Sequence, residues 1–166
     1  MNEPLTGLPD RITMHEQIES ALHDAKRSKE LFSVVFIGLD SFRDINDTEG
    51  YEMGDQVLQE VAKRLKETIR AKDNVSRVGG DEFIVILREI KDIEDAGKLA
   101  TKILKALQPV YMVNSKRVHA TASIGVSTFP KNGRDARKLI RAADTAMTRS
   151  KKSGGDQVTT HEDRRS

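Results

Sequence analysis

The chain has 166 residues, 37% of them hydrophobic and 33% charged, with a formal net charge of +2, enough for one domain with a real core. Basic and acidic residues interleave, which argues against a nucleic-acid footprint, and the absence of cysteine excludes disulfides and thiolate metal sites. The longest apolar run, around residues 34–39, is too short to cross a bilayer and no signal-peptide pattern opens the chain. The expectation is a soluble cytoplasmic domain without membrane contact, its abrupt ends suiting a piece excised from a longer protein.

Residues 4–10 are turn-rich, and Asp10 is placed to cap a helix beginning at Arg11. Ile12, Ile18, Ala21, Leu22 and Ala25 recur at helical spacing up to the boundary at 26–29. Residues 32–39 form a nearly continuous β-branched and aromatic run, which predicts a buried strand. A polar stretch at 40–47 with helical turn potential leads into an amphipathic helix marked by Met53, Val57, Leu58, Val61, Leu65 and Ile69.

A hairpin is predicted over roughly residues 74–88, around Arg77-Val78-Gly79-Gly80-Asp81-Glu82-Phe83. The two glycines are expected to supply the positive φ angles of a tight turn. Adjacent carboxylates at its tip repel each other unless a cation or donor groups sit nearby. Taken alone such a pair is more often a solvated turn; the polar groups elsewhere in the chain favour a site. A helix follows at 93–107, ended by Pro109. Residues 110–113 and 117–127 read as strands around a turn at 114–116. A last helix at 135–152 is stopped by Gly154-Gly155, and residues 159–166 are expected to be a disordered tail behind a single domain at 1–158. The order β-α-β-β-α-β, with a leading helix and an extra hairpin and helix, predicts helices packed on a mixed sheet.

Leu5-Thr6-Gly7-Leu8-Pro9-Asp10-Arg11, Phe42-Arg43-Asp44-Ile45-Asn46-Asp47, Gly54-Asp55, the Gly79-Gly80-Asp81-Glu82-Phe83 signature, Ala122-Ser123-Ile124-Gly125-Val126 and Ala143-Asp144-Thr145-Ala146-Met147 together resemble the GGDEF domains of diguanylate cyclases. The likeness spans nearly the whole chain in one order and spacing. The strand ending Phe36-Ile37-Gly38-Leu39-Asp40 is most similar to GGDEF domains fused to a phosphodiesterase (EAL) domain. The resemblance implies an α+β sandwich of nucleotide-cyclase-like type, a mixed, mostly antiparallel sheet with a βαββαβ core and flanking helices. It also implies condensation of two GTP into cyclic di-GMP by two domains facing each other as a homodimer, with magnesium (or manganese) neutralising triphosphate charge. Such a hard cation takes oxygen ligands.

Within that resemblance Asp81 is the metal ligand of the signature and Glu82 its neighbouring catalytic acid, while Gly79 and Gly80 let backbone approach the nucleotide. Asn46 and Asp55 match the pair that hydrogen-bonds guanine, and Arg43 and Lys151 match phosphate-binding cations, Arg43 with a fork where Lys is usual. Arg70 and Asp73 form the R-x-x-D motif of the inhibitory cyclic di-GMP site, Asp73 six residues before Gly79. Two positions depart. The strand-end metal Asp, eight residues before Asn46, is Gly38, and the next phosphate-binding Arg is Gly155. Asp40 lies two residues beyond Gly38 on the same strand face and is the candidate substitute ligand. Thr148 and Tyr51 replace a usual Tyr and His. The favoured expectation is a regulatory domain that binds GTP or cyclic di-GMP with impaired cyclase activity. An active cyclase is the alternative, and a mere dimerisation scaffold fits the retained motifs least.

Overall fold

The buried run expected at 32–39 is the central strand of the protein, paired on both edges. The structure, a computed structural model, describes residues 1–161. Its elements are α1 (Arg11–Ser28), β1 (Leu31–Leu39), α2 (Phe42–Glu49), α3 (Tyr51–Thr68), β2 (Asn74–Arg77), β3 (Glu82–Ile90), α4 (Ile93–Leu107), β4 (Tyr111–Val113), β5 (Lys116–Val118), β6 (Ala122–Phe129), α5 (Ala136–Lys152) and β7 (Gln157–Thr160). The main sheet runs β2-β3-β1-β6-β7, antiparallel throughout except for the parallel β6–β7 pair. This is the α+β sandwich the sequence predicts.

Alternation along β1 divides the core between the two faces of the sheet. Val35, Ile37 and Leu39 pack with Phe83, Val85 and Ile124 against Val57, Val61 and Leu65 of α3 and Ala100 and Ile103 of α4. Val34 and Phe36 pack with Ile84 and Ile86 against Met14, Ile18 and Leu22 of α1 and Leu139, Ala143 and Met147 of α5. Asp10 caps α1 by accepting from the Thr13 amide at 2.9 Å, which fixes the register of that helix. In this register Met14 is buried, and Ile12, expected on the inner face, is 71% exposed.

Two further expectations change. The strand predicted at 117–127 divides into β5 and β6. β5 leaves the main sheet to form a separate ribbon with β4, turned at Asn114 and Ser115, both at positive φ, the geometry that short hairpins favour. Residues 159–160, expected in a disordered tail, belong to β7 and extend the sheet beside β6. Residues 162–166 of that expected tail lie outside the described residues.

Helix α5 lies so close to β6 that only glycine fits at 125. A Cβ there would run into the backbone of Ala143 and Met147, and backbone cannot yield as a side-chain end can. Gly125→Ala is therefore expected to cost about 3 kcal/mol, read as a lower urea midpoint with an unchanged m-value.

Candidate functional site

The acidic hairpin tip is clamped before any ligand arrives. The amides of Val78 and Gly79 donate to the Glu82 carbonyl at 2.9 and 3.4 Å, and the Leu39 amide donates to the Asp81 carbonyl at 3.1 Å, tying the tip to the end of β1. Arg77 donates from Nε and Nη2 to the Gly80 carbonyl and pairs with Glu3 at 2.6 Å. Arg11 donates twice to the Val78 carbonyl. The positive φ expected of Gly79 and Gly80 is absent, since neither is among the positive-φ glycines. The four-residue connection between β2 and β3 is wide enough not to need it. An added Cβ at 79 would lie 2.9 Å from Glu82 Oε1, the flexible end of that side chain.

Gly38 sits directly across from Glu82 on β3 and Ser123 on β6. Cross-strand partners share a face, so a side chain at 38 would project beside that of Glu82. The volume it would enter is bordered by the end of Lys151: an added Cβ would lie 3.1 Å from Lys151 Cε, 3.4 Å from Nζ and 3.0 Å from the Met147 sulfur. The ammonium is fixed there by the Leu39 carbonyl at 3.0 Å and Asp40 Oδ1 at 3.2 Å. Burial pushes the Glu82 carboxyl up, with the charges of Asp81 and Asp144 adding to the rise and Arg11 and Lys151 opposing it.

Asp40, the expected substitute metal ligand, is already saturated. Oδ1 accepts from Ser123 Oγ at 2.6 Å and from Lys151; Oδ2 accepts from Thr121 Oγ1 at 2.7 Å and from the Asp156 amide at 3.0 Å. A carboxylate offers about four lone-pair positions, and four donors fill them. Burial raises its pKa, but the bonds from Ser123, Thr121 and Asp156 and the Lys151 charge outweigh this and hold it below the usual range. Among the described residues no three His, Asp or Glu side chains converge to hold a metal ion. With Gly38 bare, Asp40 engaged and an ammonium alongside, the donor set does not fit a bound divalent cation.

Gly155 is confined by the same carboxylate. It adopts φ +76°, and a Cβ there would lie 2.7 Å from Asp40 Oδ2. The remaining expected residues are distributed as follows. Asn46 on α2 lies against the start of α3, where any side chain at Gly54 would overlap its carboxamide; this brings it beside Asp55, which is exposed, as is Arg43. Arg70 makes a fork to Asp73, Nε to Oδ2 at 2.9 Å and Nη2 to Oδ1 at 2.7 Å, and also donates to the Arg88 carbonyl. The Asp73 side chain is 0% exposed and accepts from the amides of Arg70 and Arg88 as well. Asp73 thus positions Arg70 from a fully enclosed side chain. Thr121, Ser123, Arg11 and Asp144 were not singled out from the sequence. Ser123, Arg11 and Asp144 lie inside motifs quoted above; Thr121 lies in none of them.

Two measurements probe this arrangement. Gly155→Ala is expected to cost about 2 kcal/mol, since it meets both a positive φ and a bonded carboxylate, whereas Gly38→Ala, which meets only flexible side-chain ends, costs less than about 1 kcal/mol. Because the Asp40 pKa is lower folded than unfolded, its stabilisation is present above pH of about 4 and is lost as pH falls through the folded value. Asp40→Asn should flatten this acid limb in a stability–pH series, and an unchanged slope would refute the assignment.

Residues 2–157 match the family described as "Diguanylate cyclase, GGDEF domain". Over 154 residues the chain is 36% identical to the bifunctional diguanylate cyclase/cyclic di-GMP phosphodiesterase MucR of Pseudomonas aeruginosa, covering 93% of this chain and 22% of MucR. It is 32% identical to the cyclic di-GMP phosphodiesterase PdeR of Escherichia coli, covering 93% of this chain and 23% of PdeR. The chain thus spans about a quarter of these relatives. The solved GGDEF domain of TpbB (YfiN) from Pseudomonas aeruginosa superposes with a TM-score of 0.95 at 32% identity, covering 98% of this chain and 95% of that one. Among the described residues no helix is long and apolar enough to cross a membrane. Diguanylate cyclases of this family generally use Mg2+. Motifs, fold and full-length match agree: this chain belongs to the GGDEF diguanylate cyclase family of cyclic di-GMP signalling.

Proposed function

We propose that this domain binds GTP or cyclic di-GMP as a regulatory module, with its own cyclase reaction impaired. The observation that carries the reading is position 38, where glycine supplies no carboxylate and the Lys151 ammonium borders the space a carboxylate would fill. Condensing two triphosphates requires neutralising charge that develops between them, and one free signature carboxylate, Asp81, is a thin anchor for the ion that does so.

Binding makes lighter demands, and its parts are present. Asn46 and Asp55 stand at adjoining helix ends for the guanine edge, an amide and a carboxylate meeting its donors and acceptors. Gly79 and Gly80 keep the tip bare for phosphates, and Arg43 and Lys151 supply positive charge. Cyclic di-GMP would dock at the cleft beside Arg70, which Lys72, Lys91 and Lys98 line together with Glu89 and Asp95. There Arg70 keeps Nη1 unengaged among the described residues while Asp73 holds its other edge. The domain's partners would be a second GGDEF domain and a covalently attached EAL or sensory domain, in the cytoplasm. An unbroken signature favours the second reading, an active cyclase using magnesium or manganese.

Incubation of concentrated protein with GTP and magnesium separates the two. Gly38→Asp is expected to form cyclic di-GMP at least about tenfold faster than wild type, a barrier difference of about 1.4 kcal/mol. Equal turnover would overturn the impairment. For the second site, Arg70→Ala should weaken cyclic di-GMP binding about tenfold or more by calorimetry, and unchanged affinity would remove that site from the reading.

A further inference from the structure

The Lys151 ammonium is fixed in position, which an isolated lysine at a helix end would not be. It is anchored on two oxygens from the end of β1, 36% of its side chain faces solvent, and it lies in the last turn of α5, where a cation is favoured by the helix dipole. It also sits where the chain has deleted a carboxylate position, within range of Glu82 and beside the strand end that carries Asp81. Its salt bridge to Asp40 removes one negative charge from the site, and glycine at 38 leaves out another.

We infer that Lys151 is a tethered cation that makes guanine nucleoside triphosphate binding at this site independent of a divalent metal. The inference rests on the GTP-binding reading above. The reason is electrostatic. A site with carboxylates free at both 38 and 40 would repel a triphosphate until a divalent ion bridged them. Here the carboxylate at 40 is paired with Lys151 and the one at 38 is absent, so the end of β1 adds no net negative charge and the third Nζ donor is left for an incoming phosphate oxygen. Approach from solvent needs no displacement of the Leu39 or Asp40 bonds, because an ammonium has three donors and two are used.

The same geometry says what restoring a carboxylate would do. An aspartate at 38 meets only the flexible ends of Met147 and Lys151, so it is accommodated and competes for the ammonium. The end of β1 then carries a net negative charge added to that of Asp81 and Glu82, and the triphosphate needs a metal.

Calorimetric titration of the intact chain with GTP, in excess EDTA and then in excess magnesium, tests this. Wild type should bind with affinities within about threefold of each other, Lys151→Met should lose about tenfold or more in EDTA, and Gly38→Asp should bind at least about tenfold tighter with magnesium than without. Wild-type binding that appears only with magnesium overturns the inference and leaves the GTP-binding reading standing. Folded wild type that binds GTP under neither condition overturns both. Should Lys151→Met fail to fold, the metal dependence of Gly38→Asp against wild type still decides the matter.

Discussion

The end of β1 is held by one carboxylate, and the layout of the site follows from it. Asp40 gathers Thr121 and Ser123 from the approach to β6, the Asp156 amide from the turn before β7, and Lys151 from the end of α5. These donors come from residues 121–123 and 151–156, each distant in sequence from Asp40, and a partly buried anion with four donors is far costlier to disturb than a neutral hydrogen bond. The carboxylate therefore sets where the glycine turn after α5 runs and where the lysine points. Gly155 inherits both its left-handed backbone and its lack of a side chain from that anion pressing against it.

That constraint separates the two departures from the family pattern. At 38 the neighbours are the tips of a methionine and a lysine, which can swing away; at 155 there is a bonded carboxylate and a left-handed backbone that only glycine adopts without strain. The first change is a missing chemical group in an otherwise permissive space. The second is built into the packing, so a phosphate-binding arginine could not be put back there without dismantling the Asp40 cluster. The bare position at 155 and the saturated carboxylate at 40 are thus one packing arrangement.

Much of the fold is legible in the sequence because its signals are local and strong. The apolar run of β1, the α3 and α4 periodicities and the Asp10 cap each specify their element. What escaped depends on partners remote in sequence. The short, mostly polar run Gln157–Thr160 becomes β7 because β6 offers an open edge, and Ile12 faces solvent because it lies two residues, more than half a turn, from Met14, which starts the buried stripe continued by Ile18, Ala21, Leu22 and Ala25. In the site, motifs placed Asn46, Asp55, Asp81 and Glu82 by register. They could not show that Asp40 is consumed by Thr121 and Ser123, or that Asp73 is enclosed behind Arg70, since side-chain engagement leaves no mark in spacing.

Family membership constrains the ligand more than the reaction. The relatives at 36% and 32% identity are matched over only 22% and 23% of their own length, so their names do not say what the shared scaffold turns over. What differs at so small a scale is electrostatic. A clamped tip bearing Asp81 and Glu82 beside β1 is a strongly anionic corner, and a triphosphate can enter only if positive charge is present. A mobile divalent ion supplies it with coordination positions left over for a reacting group; a tethered ammonium supplies it with a single charge and no open coordination sphere. On the proposed reading, exchanging the first for the second would keep nucleotide binding while withdrawing the polarisation that condensation requires, the distinction between a receptor and an enzyme built on the same hairpin.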